Sequence, residues 1–147
     1  MSIERFHNVS LTVKDADASS KWYAENFGFE VESDSVRTPD FSAQVTGVPG
    51  AHLRVVHMGG HGLHLELMEY KGAAGDAVDT SPNNAGCLQI GFVVDDAEAL
   101  YEKLKADGTT MCSPEPATVP SGPIQGSKIF FCKDPDGVVL KFLSIKK

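Results

Sequence analysis

The run His61-Gly-Leu-His64-Leu-Glu66 brings two imidazoles and a carboxylate into six residues. On an extended strand, side chains two apart share a face. His64, Glu66 and Met68 then line one side, and Leu63, Leu65 and Leu67 the other. An imidazole beside a carboxylate can hold a metal ion or pass a proton. As a zinc cluster, His61, His64 and Glu66 fit poorly. His61 belongs to the turn before the strand, and the spacing lacks the i, i+4 logic of helical zinc motifs. His64 is open to three readings: a substitute metal ligand, a general base, or a hydrogen-bonded strand histidine at a cavity mouth. Arg54, inside Leu53-Arg-Val-Val56, is expected to face the same cavity. There it could grip a carboxylate or phosphate with both arms of its guanidinium; the alternative is a sheet-edge arginine in solvent. Cys132 has no basic partner in view and reads as a small buried hydrophobe. Trp22 and Tyr23 read as packing.

The elements that position these groups come in two similar sets. Residues 8–15 read Asn-Val-Ser-Leu-Thr-Val-Lys-Asp, and residues 89–96 read Gln-Ile-Gly-Phe-Val-Val-Asp-Asp. In each, a polar residue opens an alternating apolar strand that closes in Asp. The offset from Asn8 to Gln89 is 81. A helix pattern follows each strand and stops at Gly28 or Gly108. Asp15, and Asp95 or Asp96, are suited to cap the helix starts, and Asp17 and Glu98 suit the positive first turns. Later in each half a Gly-bearing turn leads into a strand. His61 to Leu67 matches Asp136 to Phe142, with an offset of 75 from Glu66 to Lys141. Short strands, Leu53 to Met58 and Lys128 to Cys132, precede these turns. Each half is therefore strand, helix, then about three strands. This predicts an α+β fold of two paired βαβββ modules in one domain, residues 1–147. Module one covers about 1–70, a connector 71–86, and module two about 87–147. Residues 34–50, the connector, and 113–127 with its four prolines read as irregular. Long loops of this kind often serve as lids.

Composition bounds the partners. Hydrophobic residues are 41% and charged residues 22% of the 147, as in ordinary globular chains. The formal charge of −7, from 13 basic and 20 acidic side chains, argues against nucleic acid or an anionic membrane as partner. No apolar run reaches the roughly 18 residues of a membrane helix. Met1 to Val9 lacks the pattern of a signal peptide. Cys87, Cys112 and Cys132 form no C-x-x-C, which fits free thiols in a reducing cytoplasm.

At Asn8 to Asp15, Trp22-Tyr23…Phe27-Gly28-Phe29, Leu65-Glu66-Leu67, Gln89 to Asp96 and Asp134-Pro-Asp-Gly137 the chain resembles the vicinal oxygen chelate superfamily. This is the glyoxalase, bleomycin-resistance and extradiol-dioxygenase group, and the resemblance covers nearly the whole chain. Gly47-Val-Pro-Gly-Ala51 with Leu65 to Tyr70 is similar to its glyoxalase-like and epimerase-like branches. The resemblance implies curved sheets around a cavity, a divalent metal with two ligands from each module, and chemistry beside a carbonyl.

The resemblance places the four ligand positions at Asn8, Glu66, Gln89 and Lys141. Of these, Glu66 alone is a strong donor, and a protonated Lys cannot ligate. Catalytic zinc takes three protein ligands. No cofactor is therefore expected. The expectation instead is a Glu66–Lys141 ion pair in place of the ion, flanked by Asn8 and Gln89. The leading reading is binding of a small polar organic molecule without metal, through Asn8, Arg54, His64, Glu66, Gln89 and Lys141, as in sequestration. The alternative is a glyoxalase-like lyase or epimerase. It would use a rebuilt zinc, nickel or manganese site (Glu66 and Gln89 with His7 or His64) or a Glu66/Lys141 acid–base pair. Catalytic residues stay unassigned, with Glu66, Lys141 and His64 as candidates. His7 stands one step from Asn8, so a strand running through both would turn it to the opposite face unless a bulge intervened. The resemblance also implies a homodimer.

Overall fold

The structure, a computed structural model, describes residues 2–146. The chain divides into two compact units, Met1–Ala77 and Val78–Lys147. The first unit runs β1 (Val9–Val13), α1 (Ala16–Phe27), β2 (Glu30–Val36), α2 (Pro39–Thr46), β3 (His52–Gly60) and β4 (Leu63–Gly72). The second runs β5 (Gln89–Val93), α3 (Ala97–Ala106), β6 (Thr110–Met111), β7 (Ala117–Thr118), β8 (Lys128–Lys133) and β9 (Val139–Ser144). This is an α+β fold with two mixed sheets.

Both helices that follow a first strand are capped as the sequence predicts. The Asp15 side chain accepts from Ala18 N, and the Asp96 side chain accepts from Ala99 N. Helix α1 exits through Gly28 in the left-handed region, φ 70°. Its buried face, with Tyr23 fully covered, packs on β3 and β4 against Val56, Met58, Leu65 and Leu67. In the second unit Tyr101 and Leu104 of α3 cover β8 and β9 in the same way, over Phe130, Cys132 and Phe142. Burial pushes the Cys132 thiol up to about 12, so it serves as packing and not as a nucleophile.

The sheets are copies in register. Their strand orders are β1-β4-β3-β2 and β5-β9-β8-β6, with β7 also on β8. In the first, Glu66 of β4 lies between Ser10 of β1 and His57 of β3. In the second, Lys141 of β9 lies between Gly91 of β5 and Phe131 of β8. The sequence offsets of 81 and 75 are thus the same step on a sheet.

Each of the three stretches read as irregular holds part of an element: β4 runs to Gly72, and β7 lies within residues 113–127 and pairs with β8. Residues 34–50 are not wholly irregular: they hold the end of β2 and the helix α2. Pro39 starts that helix where a missing N–H costs nothing, and Gly47 at φ 70° ends it. The Ser42 hydroxyl accepts from Leu53 N, tying the helix to β3. Eight residues are too few for a clear apolar periodicity, which is why the helix was not legible. No helix among the described residues is long and apolar enough to cross a membrane.

Candidate functional site

The site begins with a turn. His61 (φ 53°) and Gly62 (φ 77°) form a two-residue connection with both φ positive, the type I′ hairpin geometry. The turn fixes the β3–β4 register. Gly60 pairs with Leu63, Gly59 with His64, and His57 with Glu66. His61 itself is held in the turn, its Nε2 2.5 Å from the Phe27 carbonyl. As the sequence implies, it takes no part in the site.

Glu66 is held from β1. Its Oε2 accepts from the Asn8 amide at 2.8 Å and from the Ser10 hydroxyl. Its Oε1 faces His57 Nε2 at 3.8 Å. His57 Nδ1 then lies 3.0 Å from His64 Nε2, and His64 Nδ1 lies 3.0 Å from Glu32 Oε2. The result is a row across the first sheet, carboxylate, imidazole, imidazole, carboxylate, closely joined from Glu32 to His57 and looser at Glu66. Glu32 reaches His64 because Gly59 has no side chain; the Glu32 carboxylate occupies the space a Cβ there would fill. His7 precedes β1 and so escapes strand alternation. Its ring stacks on His64 with centroids 5.9 Å apart and planes 12° apart. An open cleft of about 510 Å³ adjoins the row, with His7, Glu30, Glu32, Gly59 and His64 in its wall.

Alternation thus places His64 and Glu66 together as expected, but it misplaces Arg54. That residue pairs with Glu69, on the helix side of the sheet and not the Glu66 side. Its guanidinium binds Asp17 of α1 (2.7 and 3.1 Å) and Asp34 of β2 (2.7 and 3.0 Å), with Glu69 at 3.6 Å. The arginine is committed to acids of its own chain, which the register decides and a local run of four residues does not reveal. Hydrogen bonds and charge from Arg54 hold the Asp17 carboxyl below the usual carboxylate range. The Arg54 hydrogen bond does the same for Asp34. A lowered folded pKa gives stability that is present above the unfolded value and lost as pH falls through the folded one. Arg54→Met should therefore lower the urea midpoint at pH 7. The gap to the parent should close as pH falls below about 4; an equal gap at pH 7 and in acid would refute the assignment.

In the second unit Gln89 opens β5 and is exposed. Lys141 is half-buried on β9, and its aliphatic stem crosses Gly91, within 2.8 Å of where a Cβ would stand. The residues that sequence reasoning missed are His57 and Glu32. His57 was legible in principle: a two-residue turn at His61-Gly62, counted backwards, sets it opposite Glu66. Glu32 was not, because β2 carries an irregularity between Val31 and Ser33 that shifts its register.

The positions that resemblance assigns to a divalent metal hold two amides, one carboxylate and one ammonium. Asn8 turns its NH₂ toward Glu66 and thus acts as a donor there. These residues do not fit such an ion. Among the described residues no group of three or more His, Cys, Asp or Glu is arranged to hold a metal.

Comparison with known proteins agrees with this architecture. The chain is 28% identical over 150 residues to a 2-epi-5-epi-valiolone epimerase of Actinomyces sp, covering 95% of this chain and 78% of the relative. A glyoxalase family protein from Bacillus cereus superposes with a TM-score of 0.82 at 17% identity, covering 100% of this chain and 97% of that one. A fosfomycin resistance protein from Listeria monocytogenes, solved with Mn(II) and sulfate, gives 0.64 at 16% identity over 99% and 95%. The model of the Glyoxalase/Bleomycin resistance protein/Dioxygenase superfamily matches residues 5–142, and the chain belongs to that superfamily.

Proposed function

We propose that the chain binds a small polar organic molecule against the Glu66 face of its first sheet, and that Glu66 takes a proton from the carbon beside that molecule's carbonyl. The reading is carried by the unequal holding of the two Glu66 oxygens. Oε2 is fixed by Asn8 and Ser10, while Oε1 stands 3.8 Å from His57, beyond hydrogen-bond length. A carboxylate anchored through one oxygen presents the lone pairs of the other in a set direction, which is what a proton acceptor needs. Loss of the proton puts negative charge on the carbonyl oxygen. The His57 Nε2–H lies close enough to Glu66 to donate to that oxygen. Glu66 then gives its proton to solvent, and a proton delivered by water to the other face of the carbon gives the epimer. The relative named a 2-epi-5-epi-valiolone epimerase supports a hydroxylated ketone as the substrate class.

The experiment is proton NMR in D₂O with a panel of cyclic hydroxylated ketones, valiolone stereoisomers first. The expected result is loss of the signal beside the carbonyl at a rate proportional to protein. A second reading, binding without turnover, is favoured by the amide and ammonium side chains at Asn8, Gln89 and Lys141. It predicts a thermal shift with the same ketones and no exchange. Neither response in the panel would overturn both.

A further inference from the structure

His57 Nδ1 and His64 Nε2 meet head-on at 3.0 Å, so one proton lies between the rings in an ordinary imidazole–imidazole hydrogen bond. The outer nitrogens both look toward acceptors: His64 Nδ1 is 3.0 Å from Glu32 Oε2, and His57 Nε2 is 3.8 Å from Glu66 Oε1. The row thus has three places for an N–H, while two neutral imidazoles supply two. With the inner place filled, a neutral pair leaves one outer lone pair turned on a carboxylate. A third proton removes that conflict, and the Glu32 carboxylate balances its charge. His64 is then an imidazolium that donates to Glu32 and to His57 Nδ1. His57 stays neutral and carries its N–H at Nε2, on the Glu66 side. The titratable groups facing the two rings are Glu32 of β2, Glu66 of β4 and the His7 ring ahead of β1.

We infer that this row is a proton relay to the substrate's carbonyl oxygen: His57 is the acid that gives that oxygen a proton, and His64, balanced by Glu32, is the positioning residue that restocks His57. The inference rests on the reading of Glu66 as the proton acceptor. Once Glu66 has taken the carbon-bound proton, negative charge sits on the carbonyl oxygen. The His57 Nε2–H bond then breaks and an O–H bond forms, giving the neutral enol. As that proton leaves, the one on His64 Nε2 crosses the 3.0 Å bond to His57 Nδ1. Both rings end neutral, each with its N–H at Nδ1, so His57 donates to His64 and His64 donates to Glu32. Both 3.0 Å contacts are filled before and after the transfer, and only the 3.8 Å end changes. When the carbon is reprotonated, the enol returns its proton to His57 Nε2 and the inner proton hops back, which restores the ketone and the charged row.

The test pairs nitrogen-15 NMR of the histidine-labelled full chain, without ketone at pH 7, with deuterium exchange of the same cyclic hydroxylated ketones. Glu32→Gln and His64→Gln each keep a hydrogen-bonding side chain in place and remove the extra proton. In the parent, three of the four ring nitrogens of His57 and His64 should be protonated; in Glu32→Gln, two. Both variants should lower kcat for exchange by about tenfold or more and leave KM within about twofold, because each acts through His57. A merely structural loss would instead raise KM and shrink the thermal shift given by the ketone. Glu32 is half-exposed, so its variant keeps the test open should His64→Gln fail to fold. Two protonated nitrogens in an exchanging parent, or Glu32→Gln exchanging at the parental rate, overturns the relay and leaves the role of Glu66 standing. A parent that exchanges none of the ketones overturns that role and the relay with it.

Discussion

Glu66→Gln is expected to slow deuterium wash-in beside the ketone carbonyl by about 100-fold or more, the usual loss when a positioned acid–base group is removed. Glutamine matches the shape of glutamate. Its amide oxygen can still accept from Asn8 and Ser10, so the sheet and the bound pose should persist. What disappears is a basic lone pair at Oε1. The thermal shift produced by the same ketone should survive, which separates loss of chemistry from loss of binding. A variant that exchanges at the parental rate would remove Glu66 from the mechanism.

Asp134→Ala should cost about 2–4 kcal/mol of stability, read from urea unfolding, because two donors lose one buried acceptor. Asp134 is only 5% exposed. Its Oδ1 accepts from Asp136 N at 2.9 Å and Val138 N at 2.8 Å, inside the turn that joins β8 to β9. The same turn is closed by Asp134 N on the Val138 carbonyl and by Gly137 N on the Asp134 carbonyl. Alanine leaves two N–H groups facing a vacated space. Asp134→Asn keeps an acceptor at that place and should cost roughly 1 kcal/mol, the scale of a weakened hydrogen bond. Equal losses from both variants would show that charge, and not acceptance, is what the turn requires. The Asp-Pro-Asp-Gly run, a strong mark of kinship in the sequence, is thus a device for making a turn.

What could be read from the sequence follows from the range of each interaction. Strand alternation and helix caps depend on neighbours within four residues, so the doubled βαβββ pattern, Asp15, Asp96 and the shared face of His64 and Glu66 were all legible. Pairing across strands depends on register. The hairpin at His61-Gly62 encodes register locally, yet its consequence falls four residues away at His57. Arg54 went astray for the opposite reason: its partners Asp17 and Asp34 lie on other elements, and three acids around one cation leave no trace in a linear pattern. His7 was judged by the rule for a strand that begins two residues later, at Val9.

The equivalence of Ser10–Glu66–His57 with Gly91–Lys141–Phe131 has a practical consequence. A scaffold present twice carries a spare. One copy can hold the reactive groups while the other drifts to glycine, ammonium and benzene ring without loss of the sheet. The spare copy is then an address for engineering: side chains grafted at 91, 131 and 141 inherit the register that Ser10, His57 and Glu66 occupy.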